Sequence, residues 1–407
     1  MKRAFEQLLS EYLTFFPAVA VVGPRQCGKT TLVRTLDSSW NYYDLERQAD
    51  FSVISHDPDQ FFALHPEQVI VDEAQILPAL FSALRVAIDE NREYPGRFVI
   101  TGSSSPELLH AISQSLAGRI GVIELPPFTF REVCTAKSVS LTSLISRRAT
   151  PEEFESSLQL KSDPQGIHKY WLEGGFPEPW IKNNPRFTEV WRENYFTTYV
   201  SRDIGRLFPQ LDSLRFQRFV GLLAGLSGQT INYSDVARAL DTTPKTIKEY
   251  FQIAHGTFLW RNIPAFHRNS VKRLVKHPRG YIRDSGILHH QLRIQTTRDL
   301  LRHPVIGHSF EGMVQEELLR SFQSEGTNVD YCYYRTGAGA EVDMVVTGTF
   351  GMIPVEIKYS QKINSRHIRG LQNFLEEYKC PYGIVINNDK RVQRISENII
   401  AVPFAAV

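Results

Sequence analysis

A glycine-rich loop near the start of the chain constrains the fold more than any other feature. The segment AVAVVGPRQCGKTTLVRTL has an apolar strand pattern, the loop G-x4-G-K-T and then a helix pattern. Glycines let backbone N–H groups close around phosphates, and a helix N-terminus favours negative charge. In such a loop the lysine reaches the β- and γ-phosphates and the hydroxyl ligates Mg²⁺. The residues predicted to bind ATP are Gly23, Pro24, Arg25, Gln26, Cys27, Gly28, Lys29, Thr30 and Thr31.

Two adjacent acids follow a second buried-strand pattern, in the segment EQVIVDEAQ. Asp72 and Glu73 come directly after the apolar run, at the carboxyl end of the predicted strand, where parallel α/β sheets bind ligands. Phosphoryl transfer needs charge neutralisation and an in-line nucleophile. We therefore expect Asp72 to hold Mg²⁺ through water, with Thr30 as a direct ligand, and Glu73 to polarise the attacking water. An ordinary solvated loop is the alternative interpretation.

A third apolar strand pattern, GRFVITGSSS, ends at Ser103, and a capped helix pattern then runs to Arg119. The motifs DEAQ, TGSSS and SLAGR, in this order after a Walker A loop and a Walker B strand, resemble a prokaryotic family of AAA+ ATPases. The resemblance implies that Ser103 or one of its neighbours on this strand senses the γ-phosphate, although the usual sensor asparagine is absent. It also implies that Arg119 is an arginine finger for a neighbouring subunit in a homo-oligomer, expected to be a hexamer. A plain helix C-terminal cation is the alternative for Arg119.

The segment from Phe128 to Phe208 has a largely helical pattern and includes the long aromatic-rich stretch FTEVWRENYFTTYVSRDIGRLF. In the resembled family this part of the chain follows the ATPase core. Arg202 is predicted to contact ATP from this helical lid. A local cap or an ion pair with Asp203 explains the same arginine without a ligand.

The segment YSDVARALDTTPKTIKEYF has the spacing of a helix-turn-helix, with Ser234 as a cap and Pro244 opening the second helix. A strand pattern, the basic stretch HRNSVKRLVKHPRG and a second strand pattern follow, as in a winged helix. A protein–protein module is the alternative. The residues expected to face a DNA groove are Lys245, Thr246 and Lys248, and those expected on phosphates are Arg268, Lys272, Arg273 and Lys276.

The charge distribution supports a polyanion as partner. The chain has a formal net charge of +2. Between Trp260 and His303, however, ten Lys and Arg residues face only Asp284 and Asp299, a local net charge of +8 (10 minus 2). A basic stretch in a nearly neutral chain is typical of a nucleic-acid-binding surface. A solvated face without a partner is the alternative.

The C-terminal part has acids at fixed places on one helix and two strands. The helix pattern SFEGMVQEELLRSF carries Glu311, the strand pattern EVDMVV carries Asp343, and the strand pattern MIPVEIKYS carries Glu356 and Lys358 two residues apart, on one face. This arrangement resembles the restriction-endonuclease-like, PD-(D/E)xK fold. The resemblance implies that the three carboxylates bind Mg²⁺, a cation that prefers oxygen ligands, and that Lys358 activates water or steadies a phosphate. An edge ion pair in a docking platform is the alternative.

Together these patterns predict an α/β protein with an AAA+ P-loop parallel sheet, a helical lid, a winged helix-turn-helix and an α/β restriction-endonuclease-like domain. The predicted boundaries are 1–135 for the ATPase core, 136–215 for the lid, 216–303 for the winged helix and 304–407 for the nuclease-like domain. No apolar run is long enough to span a membrane, and four scattered cysteines favour a reducing, cytoplasmic location.

The predicted function is an oligomeric ATPase that binds DNA, in branched or forked form, and remodels or translocates it at the expense of ATP. ATP and Mg²⁺ are the predicted cofactors, and a homo-oligomer and DNA the predicted partners. Two other functions are compatible with the same motifs: an ATP-regulated, metal-dependent DNA nuclease and a nucleotide-gated signalling scaffold.

Overall fold

The structure is a computed structural model that describes residues 1–103, 112, 115–134, 138–199, 204, 208, 210–266, 278–336 and 340–407. The chain divides into two compact units. The first consists of Met1–Phe128, Phe176–Glu178 and Gly256–Phe258, and the second of Thr129–Gly175, Pro179–His255 and Leu259–Val407.

The first unit is built on a five-stranded parallel sheet. Its strands are β1 (Ala18–Gly23), β2 (Asn41–Asp44), β3 (Val69–Asp72), β4 (Phe98–Ser103) and β5 (Ile120–Glu124), in the order β2-β3-β4-β1-β5. Its helices are α1 (Phe5–Phe15), α2 (Lys29–Val33), α3 (Gln48–His56), α4 (Pro58–Leu64) and α5 (Ala79–Glu90), with a 3₁₀ turn at Ala74–Ile76.

The central strand β1 shows why this sheet is covered on both faces. Ala18, Ala20 and Val22 point into a core shared with α3, α4 and α5, whereas Val19 and Val21 point into a second core shared with α1 and α2. Alternating side chains of a strand face opposite sides, so a strand that is apolar throughout needs helices on both sides. The predicted parallel sheet is confirmed. It places the carboxyl ends of β1, β4 and β3 side by side.

The second unit contains the remaining elements, except that Pro177 and Glu178 at the start of one helix and Gly256 at the end of another belong to the first unit. Its helices are α6 (Phe130–Val133), α7 (Leu141–Ser146), α8 (Pro151–Ser157), α9 (Pro164–Glu173), α10 (Pro177–Lys182), α11 (Pro185–Thr198), α12 (Ser213–Leu226), α13 (Tyr233–Ala239), α14 (Pro244–Gly256), α15 (Ser285–Gln291), α16 (Thr297–Arg302), α17 (Ile306–Ser324) and α18 (Ser365–Tyr378). Its strands are β6 (Trp260–Ile263), β7 (Arg279–Ile282), β8 (Asp330–Arg335), β9 (Glu341–Gly348), β10 (Gly351–Ile357), β11 (Gly383–Asn387), β12 (Gln393–Ser396) and β13 (Ile399–Pro403).

A six-stranded mixed sheet, in the order β12-β13-β11-β10-β9-β8, forms the C-terminal part of this unit. The long helix α17 packs on one face, where Phe310, Val314 and Leu318 share a core with Ile353 and Val355 of β10. Helix α18 covers the opposite face. The helix and the two strands that were predicted to carry the acids are present in that order as α17, β9 and β10, with β8 between α17 and β9.

Three helices, α12 to α14, precede the two-stranded antiparallel sheet of β6 and β7. The second helix of the predicted helix-turn-helix begins at Pro244, as expected. The predicted cap of the first helix is wrong by two residues, because the Asn232 side chain accepts the Ser234 N–H and caps α13. Residues 267–277, which hold most of the predicted wing, lie outside the described residues, so the winged-helix assignment stays a prediction.

Across the described ranges, no helix combines the length and the apolarity that crossing a membrane requires.

Candidate functional site

The predicted phosphate loop connects β1 to α2 in the first unit. Gly28 precedes α2 with a φ of +97°, in the region that favours glycine, and a Cβ on Gly23 would lie 2.2 Å from the Leu125 carbonyl oxygen. Lys29 is the first residue of α2 and is buried. Its Nζ donates to the carbonyl oxygens of Gly23 at 3.2 Å and Pro24 at 3.0 Å. The loop therefore holds the Lys29 ammonium group where phosphates are predicted to bind.

The two predicted Mg²⁺ ligands of this unit are in direct contact. Asp72 ends β3 and is 3% exposed, and its Oδ2 accepts a hydrogen bond from Thr30 Oγ1 at 2.7 Å. A hydroxyl and a carboxylate are oxygen donors of the kind that Mg²⁺ selects. The chemistry of this donor set fits the ion.

Thr101, the first residue of the TGSSS motif, and Tyr42, which belongs to no motif, also contact Asp72. Thr101 on β4 is 1% exposed, and its hydroxyl donates to Asp72 Oδ1 and accepts the Glu73 N–H at 3.3 Å. Tyr42 on β2 donates its hydroxyl to Asp72 Oδ2 at 2.5 Å, and the Arg34 guanidinium lies 4.2 Å from the centre of its ring. Burial, together with the Asp72 carboxylate, raises the pKa of Tyr42, so the phenol remains a donor.

The sequence contained a usable signal for one of these two residues. Thr101 is a polar residue at the end of a buried strand and lies two positions before Ser103, on the same face. Tyr42 belongs to no motif with fixed spacing, and only the pairing of β2 with β3 brings it to Asp72.

Glu73, the predicted water-polarising residue, has an unusual backbone. Its φ is +54° and its ψ is +44°, in the left-handed region that is strained for a residue with a Cβ. The Gln75 side chain donates to Glu73 Oε2. Burial and the charge of Glu73 raise the pKa of Glu46, which Arg25 opposes. Glu46 and Arg25 therefore belong to the same surroundings as Glu73.

The predicted sensor and lid residues are only partly visible. The Ser103 backbone ends β4 and pairs with Gly23. The Ser103 side chain and the whole of Arg202 lie outside the described residues, so both roles stay predictions.

Arg119, the predicted arginine finger, is paired within its own chain. Its Nε lies 2.6 Å from Asp89 Oδ1 and its Nη2 lies 3.0 Å from Asp89 Oδ2, which makes a two-pronged ion pair at the surface of the first unit. The hydrogen bond from Arg119 lowers the pKa of Asp89. A role in a neighbouring subunit stays a prediction.

In the second unit, two of the three predicted metal ligands, Asp343 and Glu356, both contact Lys358. We call Glu311, Glu341, Asp343 and Glu356, with Lys358, the C-terminal carboxylate cluster. Lys358 Nζ lies 3.0 Å from Asp343 Oδ2 and 2.7 Å from Glu356 Oε1. The Ile357 N–H also donates to Asp343 Oδ2, at 2.8 Å. Burial and the Asp343 charge raise the pKa of Glu356 to about 8, against the opposing effect of Lys358.

The cluster does not fit a metal ion as it stands. Among the described residues, no three or more His, Cys, Asp or Glu side chains are placed to hold a metal. Positively charged side chains of the protein contact these carboxylates instead. Besides Lys358, Arg279 of β7 pairs with Glu341 and has its Nη1 4.0 Å from Asp343 Oδ1. Glu311 receives hydrogen bonds instead, from Tyr281 at 3.2 Å and His308 at 3.3 Å.

Three family models match separate parts of the chain. An "AAA domain" model matches residues 16–134, a "Domain of unknown function (DUF8612)" matches 164–298, and a "Domain of unknown function (DUF4143)" matches 306–407. The first match covers the phosphate loop, Asp72 and Glu73, and the third covers the whole C-terminal carboxylate cluster.

Uncharacterized proteins of Mycobacterium tuberculosis and Mycobacterium bovis are each 30% identical to this chain over 389 residues, which is 95% of the chain and 80% of the relative. This chain belongs to their family. It is an AAA-type ATPase with a DUF4143 domain at its C-terminal end. An uncharacterized protein of Haemophilus influenzae is 23% identical over 318 residues, or 76% of this chain and 70% of the relative.

Likeness to solved structures is weaker. The Walker-type ATPase PABY2304 of Pyrococcus abyssi is 16% identical with a TM-score of 0.41, over 72% of this chain and 95% of that one. The RuvB Holliday junction branch migration motor of Thermotoga maritima is 17% identical with a TM-score of 0.29, over 67% of this chain and 94% of that one.

In this AAA-type ATPase the predicted DNA-binding residues are only partly described. Lys245 and Lys248 are exposed on α14, and Thr246 is half-buried with its hydroxyl 3.0 Å from that of Thr243. Residues Arg268, Lys272, Arg273 and Lys276 lie outside the described residues.

The basic stretch from Trp260 to His303 is not the continuous surface that its charge predicted. Arg261, Arg279 and Arg283 are buried, with 9%, 7% and 6% exposure, and they pair with Glu316 and Glu341 of the C-terminal part. Three of its ten cations are therefore neutralised inside the second unit and do not reach a ligand.

Proposed function

We propose that this AAA-type ATPase works as an oligomer that binds DNA and uses ATP hydrolysis to remodel or translocate it, with branched or forked DNA as the expected substrate. The observation that carries the proposal is the meeting of Lys29, Thr30, Asp72 and Thr101 at the carboxyl ends of three parallel strands. Such an arrangement is suited to hydrolysis, because phosphoryl transfer depends mainly on positioning and charge stabilisation.

Each residue of the site has a definable part in that reaction. Lys29 is placed to release its two carbonyl partners for phosphate oxygens, and Thr30 and Asp72 would hold Mg²⁺. When bound, Mg²⁺ neutralises charge that develops on the phosphates. Glu73 is the carboxylate available to polarise the attacking water. Thr101 fixes the position of the Asp72 carboxylate relative to the Glu73 backbone, because its one hydroxyl contacts both.

Support for DNA binding comes from the exposed face of α14. Lys245 and Lys248 are three residues apart, so their side chains share one face of the helix. Arg268, Lys272, Arg273 and Lys276 follow in the sequence between β6 and β7, outside the described residues. Lysines on an exposed helix contact phosphates without reading sequence, which suits an enzyme that acts on DNA of any sequence.

The decisive test is the ATPase rate with and without forked or four-way DNA. We expect stimulation by DNA, and salt-sensitive DNA binding that the double substitution Lys245→Glu, Lys248→Glu weakens by at least about tenfold. The matched control is Lys182→Glu with Lys390→Glu, which makes the same charge change at exposed lysines outside α14. If the parent protein shows no stimulation by DNA and no salt-sensitive DNA binding, the DNA-dependent motor is ruled out and a signalling scaffold is favoured.

A second candidate is an ATP-regulated, metal-dependent DNA nuclease. The observation in its favour is the convergence of Glu311, Asp343 and Glu356 around Lys358. Plasmid and branched DNA incubated with Mg²⁺ or Mn²⁺ provide the test, with Asp343→Ala as the control for contaminating nucleases. Cleavage that survives Asp343→Ala argues against a nuclease in this chain.

A further inference from the structure

Strand β7 directs a row of side chains into the C-terminal part of the second unit. Arg279 and Tyr281 lie on one face of the strand, and Arg283, directly after its end, continues the alternation. Arg279 pairs with Glu341, the Tyr281 hydroxyl contacts Glu311 Oε2 at 3.2 Å, and Arg283 Nε lies 3.2 Å from Glu316 Oε2. The strand is thus attached through three acidic contacts, two of which belong to the C-terminal carboxylate cluster.

Backbone contacts fix the same pair of strands to the edge of the six-stranded sheet. Beyond β6, the Phe266 N–H donates to the Tyr333 carbonyl at 2.6 Å, and the Tyr333 N–H donates to the Pro264 carbonyl at 2.9 Å. Arg279 also packs against Tyr333, with its guanidinium carbon 5.0 Å from the ring centre. Arg279 is therefore held in place by the fold and is not a mobile surface cation.

The cluster has more acids than cations. Four carboxyl groups, those of Glu311, Glu341, Asp343 and Glu356, face the two permanent charges of Lys358 and Arg279. Of the remaining neighbours, His308 contacts Glu311, and Arg335 is 3.9 Å from Glu341 and 55% exposed. A carboxylate away from water is costly unless it is paired, so Asp343, which is 3% exposed, depends on the nearby cations Lys358 and Arg279.

A guanidinium and a divalent cation exclude each other at Asp343. Arg279 Nη1 is already 4.0 Å from Asp343 Oδ1, and Lys358 occupies the other oxygen at 3.0 Å. A metal bound to Asp343 would add two positive charges beside this guanidinium, and their repulsion would oppose binding. One polar atom of the cluster, Glu356 Oε2, is buried and has no hydrogen-bond partner within the described structure. Carboxylate oxygens that could bind a metal are present, but Lys358 and Arg279 already compensate their negative charge.

We propose that Arg279 is the built-in counter-cation of the C-terminal carboxylate cluster, and that a divalent cation enters the cluster only when Arg279 leaves it. Arg279 acts here as a positioning residue from a strand outside the six-stranded sheet. The cluster is accordingly closed to metal while β7 is seated on it.

Mn²⁺ binding to the full-length protein tests this directly, with the free Mn²⁺ concentration read by electron paramagnetic resonance. All samples carry Asp72→Asn and contain no nucleotide, so that the site in the first unit does not contribute. We expect no Mn²⁺ site of micromolar affinity in this parent. Arg279→Met should gain one site, at least about tenfold tighter than any site of the parent.

Arg283→Met is the matched control. Arg283 directly follows the same strand and is equally buried in an ion pair, but its partner Glu316 lies outside the cluster. It should gain no Mn²⁺ site, and Arg279→Met combined with Asp343→Asn should lose the site again. Circular dichroism and gel filtration check folding, and Arg279→Gln, which keeps a donor for Glu341 without the charge, replaces Arg279→Met if that variant does not fold.

The result is independent of ATP hydrolysis, so it stands or falls separately from the proposed function. Micromolar Mn²⁺ binding by the parent, abolished by Asp343→Asn, would overturn the proposal without any change at Arg279. The same conclusion would follow if folded Arg279→Met or Arg279→Gln bound Mn²⁺ no better than the parent does.

Discussion

Among single residues, Asp72 has the most crowded surroundings of the ATPase site. Its two oxygens accept hydrogen bonds from the hydroxyls of Thr30, Tyr42 and Thr101, which come from three different elements. Hydrogen bonds to an ionised group are stronger than neutral ones and fix its orientation. A carboxylate held this way presents its remaining lone pairs in a fixed direction, as an Mg²⁺ site requires.

Thr101→Val should therefore impair hydrolysis more than binding. Valine keeps the shape but removes the hydroxyl that joins Asp72 to the Glu73 N–H. We expect kcat to fall at least about tenfold, because hydrogen bonds to charged groups are worth about 1.5–3 kcal/mol, while nucleotide affinity changes little. Thr14→Val, at an exposed position of α1, is the isosteric control. A full rate in Thr101→Val, with a large loss in Ser103→Ala, would assign the sensor role to Ser103 alone.

His289 is a second residue whose chemistry can be read from its contacts. Its Nδ1 lies 3.2 Å from the Leu172 carbonyl, which only accepts, so Nδ1 carries the proton. Burial lowers the pKa of His289 to about 3, so the ring is neutral and Nε2 accepts the Ser309 O–H at 2.7 Å. Trp171 in turn donates to the same Ser309 oxygen at 2.8 Å.

This arrangement predicts a stability that depends on pH. The pKa of His289 is lower in the folded state than its ordinary value of 6.5, so the unfolded state binds the proton first. Stability should thus fall as the pH drops below 6.5 towards 3. We expect the melting temperature of the parent to decrease between about pH 7 and about pH 5, and that of His289→Gln to decrease less. If the melting temperatures of the two proteins fell equally with pH, His289 would not be the neutral, buried histidine described above.

At the level of elements, helix α17 organises the second unit through neighbouring acids with opposite surroundings. Glu316 contacts Arg261, Arg283 and Arg320, and although burial acts to raise its pKa, the three arginines lower it to about 2. Glu317 instead accepts the Phe130 N–H at 2.8 Å and the Tyr170 hydroxyl at 2.9 Å, and burial raises its pKa.

Glu316→Gln should therefore destabilise the second unit far more than Glu317→Gln does. Removing the charge of Glu316 leaves three arginines buried together, a loss of about 3–5 kcal/mol for a broken buried ion pair. A glutamine at position 317 can still accept the Phe130 N–H, so the unfolding free energy should fall by only about 1 kcal/mol. Urea denaturation followed by tryptophan fluorescence provides the measurement, and equal midpoints for the two variants would refute the distinction.

The same elements show what the sequence could predict. The β1-loop-α2 unit and the end of β3 were predictable, because motifs of fixed spacing leave few alternatives. The alternation of Arg279, Tyr281 and Arg283 does indicate one strand face, but their partners lie on α17, β9 and other elements distant in sequence. Local sequence patterns carry no information on contacts between distant elements. The charge count therefore predicts a basic surface that includes the buried arginines Arg261, Arg279 and Arg283. The capping of α13 by Asn232 was missed for a simpler reason, since Ser234 is also a good cap.

For the whole molecule, the predicted role of Arg119 requires that its side chain contact ATP in a neighbouring subunit. In one chain it forms an exposed pair with Asp89. Such pairs contribute little, because water and salt compete for both charges. A phosphate in a neighbouring site carries more negative charge than one carboxylate. Arg119 can therefore exchange Asp89 for that phosphate on assembly without a large cost in free energy.

Mixing two inactive variants tests this arrangement. Glu73→Gln removes the predicted water-polarising carboxylate, and Arg119→Ala removes the predicted finger, so each protein alone should hydrolyse ATP at least about a hundredfold more slowly than the parent. In a mixed oligomer, a site with an intact Glu73 on an Arg119→Ala subunit receives Arg119 from an adjacent Glu73→Gln subunit. Activity should therefore reappear on mixing, to a sizeable fraction of the parent rate. A finger acting within its own chain predicts no recovery at any ratio, because no subunit of the mixture then has both groups.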